Sequence, residues 1–280
     1  MGKVYEALQR AEAERGRRGT SVPGVTAPAA PAVERAKRRS QGRLARVRGW
    51  FRRNGAGVEG DDANAFNKRR IALLQPDSFV AEQFRTLRAR LDAIATERPV
   101  RTIAVTSAMP DEGKTTAALN LALVSSMNLG RRVLLIDCDL RRPKVHVALG
   151  LRPECGLAEV LAGEGSLEHA VLEVEGTDLE VLPVRSTPSN PSELLASEGM
   201  RTLLEEVARR YDQVILDTPP TLALPDAKTL SELTDGLVFV VRANETPRDD
   251  VAAALDILDR RRVLGIVLNG VETEAKRYGY

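Results

Sequence analysis

The sequence predicts an α/β fold in which a mostly parallel β-sheet carries helices on both faces, preceded by a disordered basic tail. Short apolar runs alternate with segments of helical period from residue 79 onward, which is the pattern of a parallel sheet with crossover helices. Charge is divided unevenly, because residues 1–70 hold 17 Lys/Arg against 7 Asp/Glu whereas residues 71–280 hold 24 against 32. We therefore divide the chain into a basic tail, 1–70, and an acidic α/β domain, 71–280.

A chain of 280 residues with 43% hydrophobic content can build one such domain beside the tail. The helices and strands of this domain are predicted from the hydrophobic periodicity. A first helix is followed by alternating strands and helices and by a final strand. The predicted helices span 79–96, 115–129, 156–163, 192–210, 225–234 and 248–260. The predicted strands span 101–106, 132–137, 178–183, 213–217, 236–242 and 263–269.

A loop between the first strand and the next helix has the composition of a phosphate-binding loop. It reads Ala-Met-Pro-Asp-Glu-Gly-Lys-Thr at 108–115, and a strand, a loop and a helix in this order are the context that such a loop requires. Its backbone N–H groups and the helix N-terminus attract phosphate, Lys114 reaches the β/γ-phosphates, and the Thr115 hydroxyl can bind Mg²⁺. The predicted fold is therefore P-loop NTPase-like, and we expect a bound nucleoside triphosphate.

Two further strands end in carboxylates. Asp137 and Asp139 follow the apolar run 133–136, and Asp217 ends the run 214–216 before two prolines. Ligands of a parallel sheet lie at the carboxyl ends of its strands, so Lys114 and the three aspartates are expected in one crevice. Any one of these strands could simply end in a solvated aspartate, but three in this order favour a shared site.

These motifs, in this order, resemble those of the bacterial tyrosine kinases, the P-loop kinases of capsule and exopolysaccharide systems. The resemblance extends over roughly residues 74–269. Residues 82–88 resemble the family's self-association helix, 190–195 a stretch usual in its members, and 265–269 its last strand. The resemblance implies an ATP-dependent protein-tyrosine autokinase that regulates polysaccharide synthesis and export and uses Mg²⁺.

The resemblance also implies residue roles. Asp137 is the expected acceptor of the tyrosine proton, although the sequence does not separate Asp137 from Asp139. The catalytic residues are Asp137, Asp139 and Lys114, and the nucleotide-binding residues are Asp111, Glu112, Gly113, Lys114, Thr115, Thr116 and Asn269. The metal ligands are Thr115, Asp139 and Asp217, the autophosphorylation sites are Tyr278 and Tyr280, and the homo-oligomer contacts are Glu82, Arg85 and Arg88.

The chain departs from the family pattern at two places. The family loop usually reads Pro-Gly-Glu-Gly-Lys, and Asp111 replaces its first glycine. Aspartate tolerates the left-handed conformation better than most residues, so we expect binding to survive. The family carries a run of tyrosines at its C-terminus, where this chain has only Tyr278 and Tyr280.

The tail and the domain suggest different partners. Segments 2–15 and 43–53 have a helical apolar face among basic residues, so they are expected either to bind an anionic membrane surface or a partner, or to form a solvated linker. By resemblance, a membrane protein of the chain-length-determinant type activates the kinase. No stretch has the ~20 apolar residues of a transmembrane helix and residues 1–18 lack a signal-peptide core, so we expect a cytoplasmic protein, peripheral at the inner membrane face, with no nucleic-acid partner.

Two other functions remain open at this point. A positioning ATPase of the Min/Par type would share the fold, but such proteins carry a lysine near the start of the loop where this chain has Met109. A regulatory ATP-binding partner of a polysaccharide machine, without kinase activity, is the other alternative. Arg141, which follows Asp139, is expected to contact phosphate or a second subunit, or to form a surface ion pair.

Overall fold

The computed structural model describes residues 75–128 and 130–271 and confirms the predicted α/β architecture. One sheet contains seven strands in the order β3-β4-β2-β5-β1-β6-β7. All neighbours pair in parallel except β3 and β4. The strands are β1 Thr102–Ser107, β2 Val133–Asp137, β3 Leu172–Glu173, β4 Leu179–Leu182, β5 Gln213–Asp217, β6 Gly236–Arg242 and β7 Val263–Asn269.

Helices cover both faces of the sheet, as predicted. One apolar cluster joins α1, α2 and α3 to one face, and others join the remaining helices to the opposite face. The alternation is visible in β1, where Ile103 and Val105 face α2 while Ala104 packs with Phe239 on the other side. The helices are α1 Phe79–Glu97, α2 Lys114–Ser126, α3 Val145–Leu149, α4 Leu157–Leu161, α5 Leu167–Ala170, α6 Pro191–Leu195, α7 Glu198–Arg210, α8 Asp226–Leu233 and α9 Arg248–Ile257.

Several predicted boundaries were wrong. The helix predicted at 192–210 is two helices, because the Ser197 side chain accepts a hydrogen bond from the Met200 N–H at 3.2 Å and caps a new helix. The helix predicted at 248–260 ends at Ile257 and is followed by a 3₁₀ turn at Arg260–Arg262. The short elements α3, α5 and β3 were not predicted, because two to five residues are too few to establish a period.

The register of the central strands places the candidate residues together. β2 pairs with β5 so that Asp137 lies opposite Asp217, and β5 pairs with β1, whose end leads into the loop 108–113. The basic tail 1–70 and both C-terminal tyrosines lie outside the described residues. Within the described ranges, none of the helices combines the length and apolar character needed to cross a bilayer.

Candidate active site

The loop between β1 and α2 has the backbone of an anion-binding turn. Gly113 has φ 92°, and a Cβ at this position would lie 2.0 Å from the Asn269 side-chain nitrogen, so no other residue fits without movement. Asn269 Nδ2 donates to the Glu112 carbonyl oxygen at 2.9 Å. Asp111 adopts φ 63°, the left-handed conformation expected where the family usually has glycine. The predicted residue Asn269 therefore lies against the loop although 155 residues separate it from Lys114.

Glu112 connects the loop to a distant part of the chain. Its buried carboxylate accepts the Met109 N–H at 2.8 Å through Oε2, and Oε1 accepts the Thr246 hydroxyl. Arg242 Nη1 donates to the Asp111 carbonyl oxygen at 3.1 Å. Sequence reasoning missed Thr246 and Arg242, because neither lies in a motif and only the fold brings the β6–α9 loop to the nucleotide loop.

Lys114 is buried and paired with a carboxylate. Its Nζ donates to Asp139 Oδ2 at 2.9 Å, while Asp139 Oδ1 accepts the Arg142 N–H at 3.1 Å. Burial disfavours the ammonium form, but the charges of Asp217 and Asp139 outweigh it and raise the pKa of Lys114. Lys114 thus lies beside a strand-end aspartate, in an environment that favours its charged form.

Asp137 is a fully buried acceptor of backbone hydrogen bonds. Oδ1 accepts the Asp139 N–H at 3.2 Å, and Oδ2 accepts the N–H groups of Lys144 at 3.2 Å and Val145 at 3.0 Å. Burial and the charge of Asp217 raise the pKa of Asp137, and the backbone donors oppose that rise only in part. The carboxylate therefore shapes the turn after β2 as well as lying in the crevice.

Asp217 is also fully buried, but it has a different environment. Neither of its carboxylate oxygens has a hydrogen-bond partner among the described residues. Burial raises its pKa, and Lys114 and the Thr115 hydroxyl oppose this only in part. The Thr115 hydroxyl is thus close enough to affect the pKa of Asp217 without meeting hydrogen-bond geometry. Two buried oxygens without donors are costly unless something else satisfies them.

These orphaned oxygens fit a magnesium ion. Mg²⁺ is usually bound by one or two carboxylates together with substrate phosphates and water. The described residues contain no group of three or more His, Cys, Asp and Glu side chains that would form an all-protein metal site. Asp217 and Thr115 supply a partial oxygen set next to the phosphate-binding loop, and this suits a metal that arrives with a nucleotide.

Thr116 and Arg141, two other residues considered from the sequence, make contacts within the chain. Thr116 is half-buried in the first turn of α2, where its carbonyl oxygen accepts Asn120 Nδ2 at 2.8 Å. Arg141 forms an ion pair at 3.6 Å with the buried Asp226 and donates to Ser192 Oγ at 2.9 Å. Arg141 thus contacts groups of its own chain, and it links the turn after β2 to α6 and α8.

The residues predicted for self-association lie on α1 and also make contacts within the chain. Arg85 pairs with Glu82 at 2.7 Å and donates to the Pro76 carbonyl oxygen. Arg88 donates to the Val124 carbonyl oxygen of α2 at 2.8 Å. Glu82 is the most exposed of the three, with 62% of its side chain accessible.

Comparisons with known proteins agree with this geometry. Residues 100–252 match the family model described as an AAA domain. The tyrosine-protein kinase YwqD of Bacillus subtilis is 40% identical over 213 residues, which cover 75% of this chain and 90% of that protein. The chain belongs to the bacterial tyrosine-kinase family. Its P-loop fold is a nucleotide-binding fold.

Solved structures place this tyrosine-kinase family member beside kinase domains. The kinase domain of the Escherichia coli tyrosine kinase ETK is 34% identical with a TM-score of 0.68, and the match covers 75% of this chain and 84% of that one. The septum site-determining protein MinD of Pyrococcus horikoshii, solved with Mg-ADP, is only 22% identical with a TM-score of 0.51 and shows the fold alone.

Some relatives are much longer proteins. The succinoglycan biosynthesis transport protein ExoP of Rhizobium meliloti is 35% identical over 215 residues, but these residues cover only 27% of that protein. The kinase therefore spans about a quarter of ExoP, whereas it spans most of YwqD. Relatives of the kinase thus include components of polysaccharide export systems.

Proposed function

We propose that this chain is an ATP-dependent protein-tyrosine autokinase that regulates the synthesis and export of an exopolysaccharide or capsule polysaccharide. The observation that carries the proposal is the crevice where Lys114 lies near three buried aspartates, one of which has two carboxylate oxygens that no donor in the described part of the chain reaches. Phosphoryl transfer requires positioning and charge neutralisation above all, and this set provides both.

Each residue has a distinct role in the proposed reaction. The loop amides and Lys114 hold the β/γ-phosphates of ATP, while Asp217, Thr115 and Asp139 hold Mg²⁺ directly or through water. When bound, Mg²⁺ neutralises charge on the phosphates. Lys114 Nζ lies 2.9 Å from Asp139 Oδ2, so a bound phosphate would compete with this carboxylate for the ammonium group.

Asp137 is the proposed proton acceptor. The tyrosine O–H bond breaks as its proton passes to the Asp137 carboxylate, the oxygen forms a bond to the γ-phosphorus, and the bond from phosphorus to the leaving oxygen of ADP breaks. Burial raises the pKa of Asp137, which makes its carboxylate a stronger base than an exposed aspartate. The backbone N–H groups on both of its oxygens fix its orientation.

The alternatives differ from the kinase in their product. A positioning ATPase releases inorganic phosphate, and a regulatory ATP-binding partner leaves no phosphotyrosine. Methionine at position 109, where Min/Par proteins carry lysine, supports the kinase over the positioning ATPase.

The proposal is tested by mixing two chains with Mg-ATP. One carries Tyr278→Phe and Tyr280→Phe with an intact site, and the other carries Lys114→Met with both tyrosines retained. We expect phosphotyrosine on the Lys114→Met chain at Tyr278 or Tyr280, detected by mass spectrometry. Absence of label both on this chain and on a wild-type chain, under conditions in which ATP is bound, would favour an ATPase or a non-kinase partner.

Three partners follow from the same proposal. The chain forms a homo-oligomer through Glu82, Arg85 and Arg88. A membrane activator of the chain-length-determinant type stimulates it, and the basic tail contacts the anionic inner surface of the membrane.

Removal of residues 1–70 is expected to weaken binding to anionic vesicles at low salt while ATP binding is retained. Equal vesicle binding before and after truncation would reject the membrane role of the tail.

A further inference from the structure

Lys144 brings a second ammonium group to the lip of the phosphate-binding loop. Its Nζ lies 3.0 Å from Asp111 Oδ1, across the opening between the loop and the turn after β2. The backbone of Lys144 is fixed in place, because its N–H donates to the buried Asp137 at 3.2 Å. The side chain therefore extends from a rigid base next to the candidate catalytic carboxylate toward the nucleotide loop.

Asp111, the ion-pair partner of Lys144, places a negative charge in a loop that is expected to bind phosphate. The loop is built to attract phosphate, yet Asp111 adds a carboxylate where the family usually has glycine. The charge of Lys144 offsets this carboxylate and keeps the pKa of Asp111 below its usual value. Burial raises the pKa of Asp217, and the charge of Lys144 is among the smaller effects that oppose this rise, so its field reaches the bottom of the crevice as well as the lip.

The pair between Lys144 and Asp111 is easily broken. The two side chains are 40% and 73% exposed, and exposed ion pairs contribute only about 0–1 kcal/mol. Hydrogen bonds from an ammonium group to phosphate and to carboxylate are both charge-assisted, but a triphosphate carries several negative charges whereas Asp111 carries one. A triphosphate in the loop therefore competes successfully with Asp111 for the ammonium group.

We propose that Lys144 is a second phosphate-binding cation, which exchanges Asp111 for the phosphates of the nucleotide held by the loop. This inference rests on the proposed nucleotide function of the site and assigns an additional binding residue to it. Asp111 then acts as a competing anion, so nucleotide affinity in this chain depends on the balance between the Lys144–phosphate and Lys144–Asp111 contacts.

The test is a double-mutant cycle on the full chain, with the dissociation constant for Mg-ATP measured by calorimetry. The four proteins are the wild type, Lys144→Met, Asp111→Gly and the combination of both substitutions. Asp111→Gly removes the carboxylate that pairs with Lys144 and is compatible with the backbone, since φ is 63° there. Lys228→Met is the matched control, because Lys228 is an exposed lysine on α8.

We expect Lys144→Met to weaken Mg-ATP binding about tenfold in the Asp111→Gly background, as the loss of a charge-assisted hydrogen bond requires. Lys144→Arg should restore most of the affinity, Asp111→Gly alone should tighten binding, and Lys228→Met should leave it unchanged. Circular dichroism melting curves establish that each variant is folded, and Lys144→Gln replaces Lys144→Met if the latter is not.

Two results would overturn the inference. If the Asp111→Gly protein and the double variant with Lys144→Met bind Mg-ATP equally well, Lys144 does not bind phosphate and serves only to neutralise Asp111. If Lys228→Met weakens binding as much as Lys144→Met, the effect is one of net charge. A wild-type chain that does not bind Mg-ATP at all would instead overturn the proposed function, and the inference with it.

Discussion

Asp137 and Asp217 are register partners on neighbouring strands, yet among residues 75–128 and 130–271 hydrogen-bond donors are found for Asp137 alone. Asp137 accepts three backbone N–H groups, whereas both carboxylate oxygens of Asp217 lack a partner within the described part of the chain. Two buried carboxylates in equivalent strand positions thus have different tasks. Asp137 is held in a fixed orientation, and we propose that Asp217 presents its oxygens to a cation.

Asp217→Asn should abolish Mg²⁺-dependent ATP turnover without unfolding the protein. The substitution removes the negative charge proposed to hold the metal, and it replaces an unsatisfied buried carboxylate with a neutral group that is cheaper to bury. Turnover is measured as ADP release and stability by urea denaturation. Turnover close to that of the wild type would exclude Asp217 as a metal ligand. A large loss of stability would contradict the absence of hydrogen-bond donors to the Asp217 carboxylate in the described part of the chain.

The stability difference between the wild type and Asp217→Asn should depend on pH. The folded-state pKa of Asp217 is raised above its usual value of 3.8, so the folded protein binds this proton more tightly than the unfolded chain. The stabilising effect of protonation is complete below about pH 4 and is lost as pH rises through the raised pKa. Asp217→Asn should therefore gain stability over the wild type as pH rises from about 4 through the raised pKa of Asp217. A difference that is constant over this range would contradict the raised pKa.

Thr246→Val should weaken ATP binding, although Thr246 is 134 residues away in the sequence from Glu112 of the nucleotide loop. The hydroxyl donates to the buried Glu112 carboxylate, and hydrogen bonds to charged groups contribute about 1.5–3 kcal/mol. Loss of this donor leaves Glu112 Oε1 unpaired and loosens the loop, so we expect KM for ATP to rise several-fold. Thr246→Ser should restore it. A lower melting temperature with unchanged KM would limit Thr246 to a structural role.

Glu82→Ala is the cleanest test of the proposed subunit contact. Glu82 is exposed, and its removal leaves the bond from Arg85 to the Pro76 carbonyl and the bond from Arg88 to α2 in place. We expect light scattering to show a shift toward monomer with an unchanged melting temperature. Glu97→Ala, at the exposed end of the same helix, is the control. An oligomer of the same size in both variants would reject the contact.

The fold was predictable wherever a segment has its own pattern. The strand beginning near Val133 is a run of fully buried apolar residues, and the aspartates at its end mark the crevice without any knowledge of distant partners. Glu112 and Thr246 are 134 residues apart, so no local pattern connects them. The break at Ser197 was missed because the helical period continues across it, and only the side-chain cap shows where one helix ends.

Asn269 anchors the end of β7 to the nucleotide loop through the Glu112 carbonyl oxygen. The chain that follows therefore starts at the active site of its own subunit, and Tyr278 comes nine residues later, within a reach of about 30–32 Å. We propose that covalent attachment over this distance gives Tyr278 an effective concentration on the order of millimolar at its own site. A neighbour's tail must compete with this tethered one, so labelling between chains should rise with protein concentration, whereas labelling within a chain should not.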